Sequence, residues 1–349
     1  MKKIKVAQIG TGHDHAHESF KTLKRLSDIY DIVGYAVLPN DSLNVEELHF
    51  KNHKKVYEDY PQLTVNEILN YEGLDAVVIE AEDRDLTKYA IMAAEKGLAI
   101  HMDKPGGVSD EDYDRLIDIV SQKNLVFHTG YMYRYNPAIL KLKEDIKAGK
   151  YGEILSVEAK MNCYHKLEKR DWLKAYPGGM LYFLGCHMVD MIYSIMGEPL
   201  EVIPFSCSSG VGGTTGEDFG MAVFKYKNGV SIAQSTAIEY GGFERRQIVV
   251  VGTKGTVEIC PIEWADFSCK DVYCPLTTTV KEYLLPDWHK KCEPYKTGIF
   301  GRYDAMFEAF ADYINGKKQN PYSYEYERKL HKLILKACGE NVICTPAII

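Results

Sequence analysis

The run His13-Asp14-His15-Ala16-His17 places three imidazoles and a carboxylate within five residues, and imidazole with carboxylate is an ordinary ligand set for a zinc-like ion. Alternate residues at a helix N-terminus point in different directions, so the three rings are not expected to converge and no metal is assigned. The run follows Gly10-Thr11-Gly12. Two glycines there permit a tight turn that brings a pyrophosphate to a helix N-terminus, although such turns also serve proteins that bind no nucleotide. His187 stands alone in the apolar stretch 184–196. Its unperturbed pKa of ~6.5 suits an imidazole to accept a proton near neutral pH; the competing reading is a satisfied core histidine. All nine cysteines fall at or after Cys163, without CxxC pairs or zinc-ribbon spacing, which reads as packed, reduced thiols in a cytoplasmic chain.

These residues need a frame to hold them. At 349 residues and roughly 100–200 residues per domain, two domains are expected. The first half alternates apolar runs with helix-spaced segments. Strands are expected at 6–9, 32–38, 76–79, 98–102 and 125–128. Between them fall Phe20, Leu23 and Leu26 at helical spacing, the capping box Thr64-Val65-Asn66-Glu67, a helix from about Asp85 to Gly97, and another from Ser109 or Asp110 to about Lys123. That alternation predicts an α/β fold with a parallel sheet and helices on both faces. Beyond Gly130 the pattern becomes close-set strands at 154–161, 219–226, 230–238, 247–251 and 256–259, joined by turns such as Lys227-Asn228-Gly229. Helices are expected at 137–148, 180–196, 303–314 and 323–338. The expected division is residues 1–128 and 129–349.

Net charge is −7, from 42 Lys+Arg against 49 Asp+Glu, with no long basic run, which argues against a surface that tracks nucleic-acid phosphates. No apolar run approaches the ~18–20 residues of a bilayer span, and the N-terminal apolar stretch runs into the glycine turn rather than a cleavage site. A small-molecule partner, no membrane and no signal peptide are therefore expected.

Several markers occur in one fixed order: Gly10-x-Gly12, Asp103-Lys104-Pro105, Gly130-Tyr131-Met132-Tyr133-Arg134-Tyr135-Asn136-Pro137, Gly185-Cys186-His187-Met188-Val189-Asp190, and Arg245-Arg246 before Gly252-Thr253-Lys254-Gly255. In that order the chain resembles the Gfo/Idh/MocA family, the glucose-fructose oxidoreductase and inositol dehydrogenase group, from residue 4 to about 340. The resemblance implies an N-terminal Rossmann domain with a doubly wound parallel sheet. It also implies a C-terminal α+β domain with a large, open, mostly antiparallel sheet that commonly forms a homodimer or homotetramer interface. The family's Glu-Lys-Pro is matched by Asp103-Lys104-Pro105, which puts Lys104 beside nicotinamide and the reacting carbon, and Pro105 restrains its backbone. His187 matches the histidine that acts as acid or base on the hydroxyl. Asp190, on the same helix face, is expected to support the structure or orient His187. Tyr133 and Arg134, in the segment opening the second domain, and Tyr164, His165, Trp172 and Tyr240 fall where members draw substrate contacts. Arg134 and Asn136 are also expected to play a supporting role.

The chain departs from the family where cofactor and substrate bind. His15 occupies the third glycine of G-x-G-x-x-G. The acid that ends the second strand is missing, with Asn40, Asp41 or Ser42 as substitutes, which leaves NAD or NADP open. Ala81, Glu82, Asp83 and Leu86 replace a Thr-Pro-Asn segment and its histidine, setting carboxylates near the dinucleotide path. Phe183 replaces an acid four residues before His187. The cofactor-binding set read this way is Gly10, Thr11, Gly12, His13, Asp14, His15, Asn40, Ala81, Glu82, Asp83, Asp103 and Lys104; Phe183 and His187 join the substrate set. The resulting expectation is an NAD(P)-dependent oxidoreductase acting on a sugar, polyol or glycoside. The alternatives are a cofactor-retaining enzyme that cleaves glycosides, or a sugar-binding or regulatory protein that has lost redox activity.

Overall fold

Apolar runs bounded by glycine turns become strands wherever both faces can be covered, and the first half of the chain does this five times. A computed structural model describes residues 2–41, 53–265, 275–286 and 291–339. Its first compact unit holds β1 (Ile4–Ile9), α1 (Ala16–Arg25), β2 (Tyr30–Ala36), α2 (Val65–Leu69), β3 (Ala76–Ile79), α3 (Leu86–Glu95), β4 (Ala99–Met102), α4 (Asp110–Gln122) and β5 (Phe127–Thr129). The strands run in the order β2-β1-β3-β4-β5, every pair parallel. This is the doubly wound sheet that the alternation predicts. Val77, Ile79, Ile100 and Met102 form its core with Leu86 and Ala90 of α3 and Leu116 and Val120 of α4. The ends of the helices are set locally. Thr64 and Glu67 form a reciprocal capping box, and Ser109 caps α4 beneath three acidic residues in its first turn.

The expected division at residue 128 needs correction. The first unit is residues 1–132 together with 303–332, and the second is 133–302 with the remainder. The returning segment carries α8 (Asp304–Ile314) and most of α9 (Tyr324–Ala337). Packing explains the return. Phe307 and Phe310 lie against the His101 ring at 4.8 and 5.8 Å, and Phe310 stacks on His128 at 5.3 Å. The hydroxyls of Tyr30 and Tyr324 donate to the Phe307 and Leu125 carbonyls at 2.6 Å.

The second unit holds α5 (Pro137–Lys147), β6 (Ile154–Lys160), α6 (Leu167–Trp172), α7 (Cys186–Met196), β7 (Glu201–Pro204), β8 (Phe219–Tyr226), β9 (Gly229–Thr236), β10 (Gln247–Gly252), β11 (Gly255–Ile259), β12 (Trp264–Ala265), β13 (Leu276–Thr277), β14 (Thr279–Tyr283) and β15 (Tyr295–Lys296). Eight strands pair in the order β15-β14-β11-β10-β6-β9-β8-β7. Seven pairings are expected from that order, and all are antiparallel except β6 with β9. The parallel pair departs from a pure hairpin reading because the helical segment 167–196 and then β7 and β8 intervene between the two strands. Where one helix over 180–196 is expected, Leu181–Gly185 is a π-helical turn leading into α7. Gly220 permits it, since a Cβ there would fall 2.6 Å from that of Leu181.

Of the six cysteines among the described residues, Cys186 and Cys338 are buried. The expectation of mostly packed cysteines is corrected accordingly: Cys163, Cys260 and Cys292 are half-buried and Cys207 is exposed. Among the described residues no helix is long and apolar enough to cross a membrane.

Candidate functional site

The glycine turn lies at the carboxyl end of β1, the edge where open α/β sheets take their ligands. Gly10 has φ of 97°, a conformation that costs glycine little, and a Cβ there would strike the Ala81 backbone. Ala81 is thus the floor of the turn. Beside it lies Asp41, whose Oδ2 accepts from the Thr11 amide at 2.8 Å, the Thr11 hydroxyl at 3.0 Å and the Leu38 amide at 2.8 Å. Its Oδ1 is buried without a hydrogen bond. Burial pushes this carboxyl up to about 6 against those donors. Of the three substitutes the sequence offers, Asn40 is exposed and donates to Asp85 at 2.6 Å. Asp41 turns inward against Gly12, where a Cβ would fall 2.6 Å from the Asp41 Cα. Ser42 lies outside the described residues.

The departures at His15 and Asp103 turn out to be one feature. Asp103 Oδ2 lies 3.0 Å from His15 Nδ1 and 3.2 Å from His13 Nδ1, and Asp103 Oδ1 accepts the Lys104 amide at 2.6 Å. His13 Nε2 faces the Lys104 carbonyl at 3.0 Å. A carbonyl only accepts, so that nitrogen carries the proton. Lys104 is therefore anchored to the glycine turn through its own backbone, and its side chain is buried. Asp14, the residue after His13, is half-buried.

Charge in this cluster is sharply redistributed by burial. His13 is raised to about 9: burial opposes its charge, but Asp103 and Asp83 outweigh burial. Burial lowers His15 to about 4, with Asp103 opposing. Asp103 is held well below the usual carboxylate range despite its burial, because both histidines favour its charge. Burial and the nearby Asp103 push Glu80 far up, and burial also raises Asp83. Glu82, which the sequence marks as an electrostatic obstacle, is matched by Arg84, whose Nε and Nη2 donate to it at 3.1 Å.

The second unit holds the remaining expected residues. His187 follows the π-helical turn and is buried, its ring 5.4 Å from that of Tyr133. π-Helical turns recur at functional sites because they shift which residues share a face. Tyr133 donates to Glu263 at 3.0 Å, and Arg246 and Arg302 donate to the same carboxylate at 3.2 and 2.9 Å. Arg134 makes the contacts of a supporting residue. Its Nε and Nη2 grip the buried Asp190 at 3.0 and 2.8 Å, which pins α7. Asn136 likewise supports the fold, capping α5 and donating to Ile262 and Thr278 at 3.1 Å.

Of the aromatic candidates, Trp172 and Phe183 are buried in edge contact at 5.3 Å, with His165 at 6.1 Å from Phe183. Tyr164 and Tyr240 are an exposed stacked pair at 4.7 Å. Lys169 is absent from the sequence reading, yet its ammonium lies 3.8 Å from the Trp172 ring and 4.3 Å from that of Phe183. The signal was its position three residues before Trp172 on one helix face. Glu263, which organises Tyr133, left no local signal at all.

Residues 139–258 match the GFO/IDH/MocA C-terminal domain. An oxidoreductase of Schizosaccharomyces pombe is 25% identical over 208 residues, covering 58% of this chain and 54% of that protein. The chain thus spans about half the length of that relative. The myo-inositol 2-dehydrogenase of Thermotoga maritima is 24% identical over 73% of each chain. Among solved structures, a mutant of the 3-ketoreductase KijD10 of Actinomadura kijaniata, in complex with TDP-benzene and NADP, has a TM-score of 0.73 at 15% identity. It covers 95% of this chain and 96% of its own, and the likeness is one of fold.

Proposed function

The chain belongs to the Gfo/Idh/MocA family, and on that premise we propose that it is an NAD(P)-dependent oxidoreductase acting on a sugar, polyol or glycoside. The observation that carries the reading is the anchoring of Lys104, at the carboxyl end of β4, to the glycine turn through the 3.0 Å contact with His13. The turn and its neighbours fit a dinucleotide. Gly10 and Gly12 keep the backbone bare, and Asp41 offers a buried, unsatisfied Oδ1 where a ribose hydroxyl could donate. That carboxylate supports NAD over NADP, since it would repel a 2′-phosphate.

When bound, the nicotinamide supplies hydride chemistry. Lys104 holds the substrate oxygen and stabilises the negative charge that develops there, which is worth most in a buried setting. His187 exchanges the hydroxyl proton. Tyr133, fixed by Glu263, packs against that imidazole and limits its orientations. Lys169, Trp172 and Phe183 pack together as a buried ammonium–aromatic cluster, residue types that suit a sugar's hydroxyls and ring hydrogens.

The test is equilibrium binding of NAD(H) and NADP(H), followed by a screen of sugars and polyols. Micromolar or tighter dinucleotide binding and substrate-dependent reduction are expected. Absence of binding, with no dinucleotide released on denaturation, would overturn the reading in favour of a ligand-binding protein. Product formed without net cofactor reduction would point to the cofactor-retaining reaction.

A further inference from the structure

We propose that His13, His15 and Asp103 form a binding site for a divalent transition-metal ion of the zinc class. Their ligand atoms all lie within 4.8 Å of one another. Asp103 Oδ2 is 3.2 Å from His13 Nδ1 and 3.0 Å from His15 Nδ1. Around a four-coordinate zinc with bonds of ~2.0–2.1 Å, neighbouring ligand atoms are about 3.3 Å apart. Both edges from Asp103 are close to that spacing, and the third, between the two imidazoles, is no longer than 4.8 Å.

The orientation of His13 is already that of a metal ligand. Its Nε2 is committed to the Lys104 carbonyl, the backbone bond that in metal sites fixes the ring and leaves Nδ1 as the ligating nitrogen. Nδ1 is the atom that faces Asp103. A second observation points the same way. Glu80 is fully buried, neither carboxylate oxygen has a hydrogen bond, and Oε2 sits 3.5 Å from the same His13 Nδ1. A buried carboxyl with no counter-charge is expensive to ionise, and a cation beside His13 would offset that cost. Asp83, also fully buried with both oxygens lacking hydrogen bonds, lies 3.7 Å from His13 Nε2 and adds to the negative field. Lys104 opposes a cation here, since its charge disfavours that of His13.

The sequence argument against a metal concerned three alternate histidines. It holds for His17, which stacks on His53 at 3.6 Å. The third ligand comes instead from the residue that follows β4, 88 positions from His15, so the local run could not reveal it. The ion would join the β1 turn to the step that carries Lys104. His13 Nδ1 also accepts the His15 amide at 3.2 Å, a bond the ion would replace; ligation requires unprotonated imidazole nitrogens, so any proton they carry leaves as M²⁺ enters. This inference is independent of the redox reading.

The test uses the full chain, purified without a histidine tag, stripped with chelator and titrated with Co²⁺ and Zn²⁺. One ion per chain is expected, with the visible bands of low-symmetry Co²⁺ and their loss when Zn²⁺ is added. His15→Ala removes the most accessible of the three ligands, and Asp103→Asn preserves side-chain shape; each is expected to weaken binding by about 100-fold or more. Far-ultraviolet circular dichroism establishes that each variant is folded. Failure of the wild-type protein to bind Co²⁺ or Zn²⁺ would overturn the proposal. So would unchanged affinity in either folded variant. Dinucleotide binding measured on the stripped protein separates this result from the fate of the proposed activity.

Discussion

Two buried charge clusters, one in each unit, solve the same electrostatic problem in opposite ways. In the second unit every central carboxylate is met by guanidinium groups: Asp190 by Arg134, and Glu263 by Arg246 and Arg302. In the first unit Glu80, Asp83 and Asp103 surround His13, with Lys104 adding to the field. Planar guanidinium groups satisfy two carboxylate oxygens at once and lock geometry. An imidazole satisfies fewer, and the acids around it shift their proton affinities instead. The matched cluster therefore reads as architecture. The under-matched one reads as a place prepared for a charged visitor.

Substitutions should separate these roles. The largest effect is expected from Lys104→Ala and His187→Ala, each lowering kcat/KM by about 10²–10⁴-fold. Steady-state kinetics alongside circular dichroism would check this, and full turnover by both folded variants would break the assignment. Arg134→Ala should do the reverse, costing about 3–5 kcal/mol of stability because it strands a buried carboxylate. A shift in the urea midpoint measures it; an unchanged midpoint would erase the distinction between the clusters.

Glu263 sharpens the comparison through pH. Burial would raise its pKa, but Arg302 and Arg246 outweigh burial and hold it below the ordinary value. A depressed carboxyl contributes stability that is present above the unfolded pKa and is lost as pH falls through the folded one. Glu263→Gln should therefore cost about 1.5–3 kcal/mol near neutrality, the worth of a charged hydrogen bond. That difference should shrink progressively below about pH 4. Paired unfolding curves at neutral and acid pH would show whether it does. The smallest effect is expected at Thr64→Ala, which removes the exposed capping box of α2 for about 1 kcal/mol. The urea midpoint is again the measure, and a loss as large as that of Arg134→Ala would make local capping rival the buried pair.

Much of this was legible in the residues themselves. The 3.6- and 2-residue periodicities placed β3 at Ala76–Ile79, α4 after Ser109 and β8 at Phe219–Tyr226, because local pattern decides which face of an element can be buried. The Asn136 cap and the Thr64 box were equally local. The fixed order of motifs also identified Lys104 and His187 as the residues to examine. Tertiary structure decided the rest, for a common physical reason: burial and electrostatics depend on which distant groups are brought together. It returned residues 303–332 to the first unit. It gave Arg134 to Asp190 and Tyr133 to Glu263. It also joined His15 to Asp103 across the ends of two strands, turning two separate departures into one charged cluster that no single stretch of sequence contains.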